Sequence, residues 1–309
     1  MVNIGIKMKK EDQDWHEHIE RLNKVANVVQ IYNDKNIGDI SLIDVLIATR
    51  VTVSDIEKMP NLKAVFLYKT GTDSLPIELL FERNIEVIPS HANAEYIAEH
   101  ALALALSLIH RVNEFDADLR RGIWYSDGIN YFWDSLSKMN VGILGYGNIG
   151  HYLADKISPL SSKVIVKNNS GVYDNRYDIA TSLEDLIYKS DILFICIPKN
   201  IETIDLINEK VLCNMKGKYI VNISRAEICN EEDLYNSLTN GILAGYASDV
   251  WYVSADKNNK LNPIKPTHFN FELLPNVILS PHCATHERDA HNRYVSDSVN
   301  NCLRYLGLE

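Results

Sequence analysis

Cysteine is scarce in this sequence, and no two cysteines form a C-x-x-C pair. The five are odd in number and scattered along the chain: Cys196, Cys213, Cys229, Cys283 and Cys302. Paired cysteines at short spacing mark zinc sites, and an even set in a short chain marks a disulfide framework. The pattern argues against a disulfide scaffold and predicts no metal site. It favours a reducing compartment, so we expect a cytoplasmic protein.

Long apolar runs and an excess of basic residues are also missing. The amino-terminal stretch MVNIGIKMKKEDQDWHE has no apolar core of signal-peptide length, and no run approaches the ~20 apolar residues that cross a bilayer. Lys and Arg total 31 against 41 Asp and Glu, a formal net charge of −10. A duplex phosphate backbone would be repelled on balance. We therefore expect neither a membrane nor nucleic acid as a partner.

What the sequence does contain is short apolar runs separated by helical patterns. They fall into two successive sets: VVQIY, DVLIAT, LKAVFLY and IEVIP, then VGILG, KVIVK, DILFICIP, YIVNIS, AGYASDV and NVILSP. Strands that are apolar throughout are typical of parallel sheets covered by helices on both faces. A length of 309 residues suits about two domains. We therefore predict an α/β protein with two doubly wound parallel sheets.

Two longer helices are predicted outside these sets. The stretch NAEYIAEHALALALSLIHRVNEF lies between them, with Asn93 placed to cap the helix. A second helical pattern covers about 287–306 and stops at Gly307. We expect the first helix to bridge the domains and the second to return to the first domain.

The turn GYGNIG follows the apolar strand VGILG and precedes the helical run HYLADKI. Gly145 would permit the tight turn, Gly147 would let the backbone approach a pyrophosphate, and Gly150 would let the helix pack on the sheet. The phosphates would lie at the positive end of the helix. A purely structural turn is the alternative, but the strand, turn and helix order favours nucleotide binding.

Over nearly its whole length the chain resembles the D-isomer-specific 2-hydroxyacid dehydrogenases, relatives of formate, glycerate and phosphoglycerate dehydrogenases. The matching pieces are KTGTD, NAEYIAEHALALAL, GYGNIG, IPKNIETIDLIN, MKGKYIVNISRAEI, GILAGYASDVW and NVILSPH. The resemblance implies a Rossmann-type nucleotide domain inserted into a flavodoxin-like substrate domain. Residues 1–91 and 285–309 would form the substrate domain and residues 92–284 the domain that binds a nicotinamide dinucleotide.

The resemblance also implies the catalytic pair. Arg225 matches the arginine that forks onto the substrate carboxylate and polarises the carbonyl, a task that suits a planar guanidinium. His282 matches the acid/base, and histidine is the side chain best suited to exchange protons near neutral pH. A surface arginine is the alternative for Arg225. His100 and His286 are the rivals of His282.

Further positions follow from the same motifs. Thr70 and Gly71 match the loop that holds the substrate carboxylate, although a plain tight turn would look alike, and Asn93 is a third substrate-binding candidate. Asp249 matches the aspartate on the nicotinamide side of the cofactor, with an ordinary strand-end aspartate as the alternative. The remaining cofactor candidates are Gly145, Tyr146, Gly147, Asn148, Ile149, Gly150, Asn168, Asn169, Ser170, Ile197, Pro198, Thr203, Ile223 and Ser224.

The sequence departs from the family five residues after Asp249. The family has there a glutamate that orients the catalytic histidine, whereas this chain has Ser254, with Asp256 as a possible substitute. Formate dehydrogenases of the family also lack that acid. Three functions follow from the resemblance: a dehydrogenase or reductase of small D-2-hydroxy or 2-oxo acids such as glyoxylate or hydroxypyruvate, a formate-dehydrogenase-like enzyme, and a non-catalytic NAD(P)-binding sensor resembling corepressors. Because Arg225 and His282 are both present, we favour the first.

The residues at the end of the second nucleotide-domain strand bear on the choice between NAD and NADP. An acidic residue there would bind the adenosine ribose and repel a 2′-phosphate. This chain has the neutral run Asn168, Asn169 and Ser170, preceded by Lys167, whose side chain we expect on the opposite face of the strand. We therefore predict that either cofactor is used, with a mild preference for NADP.

Assembly is predicted from the aromatic-rich segment FDADLRRGIWYSDGINYFWDSLSKMN, residues 115–140. It lies where family members extend an arm across a two-fold partner, and aromatic side chains are favoured at interfaces. We predict a homodimer, with a surface loop folded on its own domain as the alternative.

Overall fold

The computed structural model describes residues 1–9, 12–32, 35–124, 132–169, 171, 174–253 and 264–308, and the side chains of residues 35–37 are not considered. The strands are β1 Asn3–Met8, β2 Asn27–Tyr32, β3 Lys35–Ile37, β4 Val45–Ala48, β5 Ala64–Leu67, β6 Glu86–Pro89, β7 Asn140–Leu144, β8 Lys163–Lys167, β9 Asp178–Ile179, β10 Ile192–Ile195, β11 Tyr219–Asn222, β12 Gly245–Ser248 and β13 Val277–Leu279. The helices are α1 His16–Asn23, α2 Val53–Lys58, α3 Ile77–Glu82, α4 Ala94–Ile109, α5 Val112–Arg120, α6 Asn148–Ile157, α7 Leu183–Lys189, α8 Glu209–Leu212, α9 Glu231–Thr239 and α10 Ala290–Tyr305.

The chain divides into two compact units, Met1–Asn93 with His286–Glu309 and Ala94–Thr285. The first unit has a sheet in the order β3-β2-β1-β4-β5-β6, in which only the pairing of β2 with the edge strand β3 is antiparallel. The second unit has a fully parallel sheet in the order β13-β12-β11-β10-β7-β8-β9. The predicted α/β class with two doubly wound sheets is confirmed.

Each sheet is buried on both faces, as its apolar strands require. In β10, Ile192 and Phe194 pack on one side with α4 and α6, whereas Leu193 and Ile195 pack on the other side with α7 and α9. In the first unit, α10 packs Val295 and Val299 against the face formed by β1, β4 and β5. No helix in the described residues has the length and apolar character needed to span a membrane.

The structure differs from the sequence prediction within the long apolar stretch after Asn93. Two helices, α4 and α5, replace the single predicted helix, because Arg111 adopts a left-handed conformation with φ 54°. No glycine or proline marks this break. The side chain of Asn93, which was predicted to cap α4, donates from its amide to the Ala290 carbonyl at 2.9 Å and accepts from Arg293 Nε at 2.9 Å.

Candidate active site

The strand order of the second unit predicts where a ligand binds. β7 lies between β8 and β10, so the sheet reverses its direction of winding at β7. In open parallel sheets the crevice beyond the carboxyl ends at such a reversal is the usual ligand site. The loops after β7, β8, β10, β11, β12 and β13 all leave from this edge, and they contain the candidate residues of this unit.

The Gly-rich turn has the shape that a pyrophosphate needs. Gly145 has φ +102°, and a Cβ there would lie 2.7 Å from the Cys196 carbonyl carbon. A Cβ on Gly150 would lie 2.2 Å from the Gly145 oxygen, so the glycine permits α6 to pack against the turn. Gly147 caps α6, and its missing side chain leaves open space. The turn is thus closed on the sheet side and open at the helix amino terminus, which fits a dinucleotide.

The other residues of the turn are placed by this geometry. Asn148 and Ile149 form the first turn of α6. Tyr146 is buried, with its ring stacked on that of His151 at a centroid distance of 3.8 Å. Burial raises the pKa of the Tyr146 hydroxyl, so this side chain packs against the turn in its uncharged form.

Asn168 and Asn169 follow β8, at the position predicted to face the adenosine ribose. Asn168 donates to the Tyr146 carbonyl at 3.4 Å, which ties this position to the Gly-rich turn. Lys167 Nζ donates to Asn169 Oδ1 at 2.9 Å and to the Asn168 carbonyl at 3.4 Å. Asn169 lies two residues after Lys167, so a contact between their side chains agrees with the expectation that Lys167 points to the opposite face from the Asn168 side chain. The ammonium group lies beside the Asn168 backbone and the Asn169 side chain. Ser170 lies outside the described residues.

The loops after β10 and β11 are tied together. The Ser224 hydroxyl donates to the Ile197 carbonyl. Thr203 closes the first of these loops by donating to the Pro198 carbonyl at 2.8 Å. Ile223 is buried at the end of β11. The candidate cofactor residues on these loops therefore belong to one connected segment of the sheet edge.

Asn222, which sequence reasoning did not single out, fixes the loop that carries Arg225. This fully buried residue ends β11. Its Oδ1 accepts from the Ser224 N–H at 3.0 Å, and its Nδ2 donates to the Arg225 carbonyl at 2.9 Å. Arg225 donates from its guanidinium to the Ser224 carbonyl at 2.7 Å and is half-buried. The backbone of Arg225 is thus held by the side chain of the last residue of the strand that it follows.

The side chain of Asp249 holds the backbone of the loop that carries His282. It follows β12 directly, and its Oδ2 accepts from the Ala284 N–H at 2.8 Å. Its Oδ1 accepts from the Cys283 N–H at 2.8 Å and from the Ser280 hydroxyl at 2.5 Å. His282 has φ 59°, a left-handed conformation that is rare for residues other than glycine. The hydrogen bonds from the N–H groups of Cys283 and Ala284 to Asp249 stabilise this conformation of His282.

The electrostatics of Asp249 reflect these contacts. Burial alone would raise the pKa of its carboxyl, but hydrogen bonds from His100, Ser280 and the backbone of Ala284 and Cys283 outweigh burial and lower the pKa to about 2. The carboxylate is therefore charged throughout the physiological range. His100, considered above as a rival acid/base, lies beside this anchor, with Nε2 at 3.0 Å from Ser280 Oγ and 3.6 Å from Asp249 Oδ1.

Ser254 and Asp256 lie outside the described residues. Before them, the Trp251 indole donates to the Ser280 carbonyl at 2.9 Å, and the Tyr252 hydroxyl donates to the Cys229 carbonyl at 2.8 Å. Trp251 therefore gives the His282 loop a second attachment to the end of β12.

The substrate-binding candidates of the first unit lie at the end of β5 and beyond β6. Thr70 Oγ1 donates to the Ser90 carbonyl at 3.0 Å and lies 3.0 Å from the Tyr294 hydroxyl of α10. Gly71 follows in the same loop. The side-chain contacts of Thr70 thus attach this loop to two other elements of its unit, and Tyr294 is a residue that sequence reasoning missed.

Comparison with known proteins adds a family match. The model of the D-isomer specific 2-hydroxyacid dehydrogenase NAD binding domain matches residues 102–284. A glyoxylate reductase from Thermofilum pendens is 28% identical over 308 residues, which cover 96% of this chain and 84% of the relative. A hydroxypyruvate reductase from Blautia hydrogenotrophica is 29% identical over 259 residues, which cover 81% of this chain and 77% of the relative.

A solved structure agrees with these matches. A protein from Pyrococcus horikoshii superimposes with a TM-score of 0.82 at 26% sequence identity, covering 99% of this chain and 92% of that protein. The likeness thus extends over both units and over the loops described above.

Proposed function

Because the chain belongs to the D-isomer-specific 2-hydroxyacid dehydrogenases, as the match over residues 102–284 shows, we propose that it reduces a small 2-oxo acid of the glyoxylate or hydroxypyruvate type with NADH or NADPH. It is an oxidoreductase with a nicotinamide dinucleotide as its cofactor. The second unit would hold the cofactor, and Thr70 and Gly71 are the proposed substrate-binding positions within the first unit. Asn93 would support this loop region through its contacts with α10 or contact the substrate itself.

The observation that carries the proposal is the matched placement of Arg225 and His282. Each lies three residues beyond the end of its strand, β11 or β13, and β12 separates these two strands in the sheet. Parallel strands present their carboxyl ends at one edge, so both loops leave the sheet on the same side. Asn222 and Asp249 hold the backbones of the two loops.

This arrangement assigns a chemical role to each side chain. Arg225 would bind the carboxylate of the substrate in a bidentate manner and draw charge toward the carbonyl oxygen. His282 would donate a proton to that oxygen, and in the reverse direction it would accept the proton from the hydroxyl. The reduced nicotinamide supplies the hydride when it is bound. Asp249 would face the nicotinamide side, with its carboxylate already engaged by the His282 loop.

The cofactor would be held by the Gly-rich turn and by the asparagines after β8. We propose a mild preference for NADP, supported by the neutral Asn168 and Asn169 and by the Lys167 ammonium beside them. A homodimer is also proposed. Trp124 and Phe132 are 76% and 81% exposed, and they border residues 125–131 of the predicted arm, which lie outside the described residues.

The test is a screen of 2-oxo acids with both reduced cofactors, followed by the absorbance of the reduced nicotinamide. Glyoxylate or hydroxypyruvate should be reduced. Arg225→Ala should lower kcat/KM by a factor that corresponds to a loss of about 3–4 kcal/mol of transition-state stabilisation. Arg225→Lys is the matched control, because it keeps the charge but loses the bidentate geometry and should recover only part of the loss. Cofactor binding without turnover of any acid would favour the sensor function instead.

A further inference from the structure

Three potential metal ligands surround the Ser280 hydroxyl in the second unit. The Ser280 oxygen lies 3.0 Å from His100 Nε2, 2.5 Å from Asp249 Oδ1 and 3.3 Å from Cys283 Sγ. Ligand atoms of His100, Asp249 and Cys283 all lie within 4.8 Å of one another. We call His100, Asp249, Ser280 and Cys283 the Ser280 cluster. We propose that the Ser280 cluster binds a thiophilic divalent cation such as Zn²⁺, and that this binding inhibits the enzyme.

The donor set suits such a cation. An imidazole nitrogen, a carboxylate oxygen and a thiolate sulfur are the three ligand types that Zn²⁺ takes in proteins, at roughly 2.0–2.3 Å. Ligands at that distance from one tetrahedral ion are roughly 3–4 Å apart. The ligand atoms of His100, Asp249 and Cys283 would reach that geometry if the distances between them shortened by about 1 Å. The Ser280 hydroxyl already lies among the three donor atoms, so it would become the fourth ligand or rotate out of the centre.

Access and proton balance are also compatible with binding. The His100 side chain is 28% exposed and that of Asp249 is 5% exposed, so the cation would enter from the imidazole side. Binding would release the Cys283 thiol proton to solvent and form a sulfur–metal bond. The imidazole would carry its proton on Nδ1, which frees Nε2 as the ligand.

Inhibition is expected because the Asp249 carboxylate holds the loop that carries His282. Its oxygens accept from the N–H groups of Cys283 and Ala284, and these contacts hold the left-handed backbone at His282. A cation that takes a lone pair of Asp249 and pulls Cys283 Sγ inward would compete with those bonds. The His282 imidazole would then leave its catalytic position, although the cofactor turn at Gly145 would be untouched.

A second group of potential ligands provides an internal control. Asp12, Asp14 and His291 lie close together in the first unit, but they include no thiol and two of the three are exposed. Oxygen-rich sites of this kind suit harder cations. A thiolate-dependent signal therefore distinguishes the Ser280 cluster from this group.

The decisive measurement requires no turnover. Chelator-treated protein is titrated with Co²⁺, and the expected result is a thiolate-to-cobalt charge-transfer absorption that is lost in Cys283→Ser and His100→Asn. Cys213→Ser, which changes an exposed cysteine elsewhere in the same unit, and His291→Asn should both keep it. The proposal is overturned if wild type gives no such absorption, or if the absorption survives in Cys283→Ser.

The inhibition half of the proposal rests on the proposed function and is tested separately. Zn²⁺ should inhibit reduction of the 2-oxo acid, and Cys283→Ser should raise the half-inhibitory concentration by about tenfold or more, each protein being compared with its own metal-free activity. Equal inhibition of both proteins overturns the proposed inhibition. If no acid is reduced, the proposed function fails, whereas the cobalt absorption still decides whether the site exists.

Discussion

Replacing Asp249 with asparagine should loosen the loop that carries His282. Besides its contact with His100, the carboxylate accepts hydrogen bonds from the Ser280 hydroxyl and from the N–H groups of Cys283 and Ala284, and it uses both oxygens to do so. An amide of the same shape keeps only one acceptor oxygen. Its NH₂ group would face at least one of the existing donors, so one buried N–H would lose its partner.

The size of the effect follows from the pKa of Asp249, which lies at about 2 instead of its ordinary 3.8. One unit corresponds to about 1.4 kcal/mol, so the fold stabilises the carboxylate by about 2–3 kcal/mol. Because the pKa is depressed in the folded state, this stabilisation is complete above the unfolded value and is lost as the pH falls from about 4 through about 2. The difference between wild type and Asp249→Asn should therefore be largest at neutral pH and shrink in acid.

Hydrogen exchange of the Cys283 and Ala284 amides, measured with chelator present, reports this loosening locally. At neutral pH the variant should exchange about 30- to 150-fold faster than wild type, and kcat should fall while cofactor binding at the Gly-rich turn changes little. Asp191→Asn is the matched control, because Asp191 accepts from the Asn140 N–H at 2.8 Å at the opposite end of β7 from the cofactor turn. Wild-type exchange of the two amides in Asp249→Asn would refute the anchoring role.

Three further outcomes are expected. Asn168→Asp should shift the kcat/KM preference toward NAD, because a carboxylate beside the ribose repels a 2′-phosphate, and Lys167→Gln should weaken NADP use without affecting NAD. An unchanged preference in both would place these residues away from the ribose. Ser254→Glu should move the pH optimum of reduction upward, because a nearby carboxylate favours the imidazolium form of the acid; an unchanged profile would mean that another acid, such as Asp256, already acts there. Light scattering should give twice the chain mass of 35.1 kDa, and a value near 35.1 kDa would exclude the dimer.

The class of fold could be predicted because the buried strands are apolar throughout. Runs such as Ile192–Ile195 face helices on both sides, and that requirement is visible in the sequence itself. The central strand β1 was missed as well as the edge strands β3 and β9. The two edge strands are short and need no apolar face. The break at Arg111 was also missed, because a left-handed arginine between two helices leaves no local signature.

The candidate site was predictable only where one short segment contains the whole constraint. The Gly-rich turn is such a segment, because its strand, turn and helix are consecutive. The contacts that hold the His282 loop join residues distant in sequence: Asp249 and Cys283 are 34 positions apart, and His100 and Ser280 are 180 apart. Spacing rules cannot reveal partners that only the parallel sheet brings together. Asn222 lay within a recognised motif, yet nothing local showed that its amide holds Arg225.

The two anchors give a physical reason why the proposed reaction would not require a glutamate at position 254. In the proposed site, a hydrogen-bond partner of the imidazole ring is not the only group that positions His282. Asp249 and Trp251 also fix the backbone on either side of this residue. Arg225 is fixed in the same way by Asn222. A fixed backbone limits each side chain to its own rotamers, and this lowers the entropy cost of reaching the reactive arrangement. Loss of the family glutamate would then leave the backbone of His282 in place, so its main effect should appear in the pH profile rather than in the maximal rate.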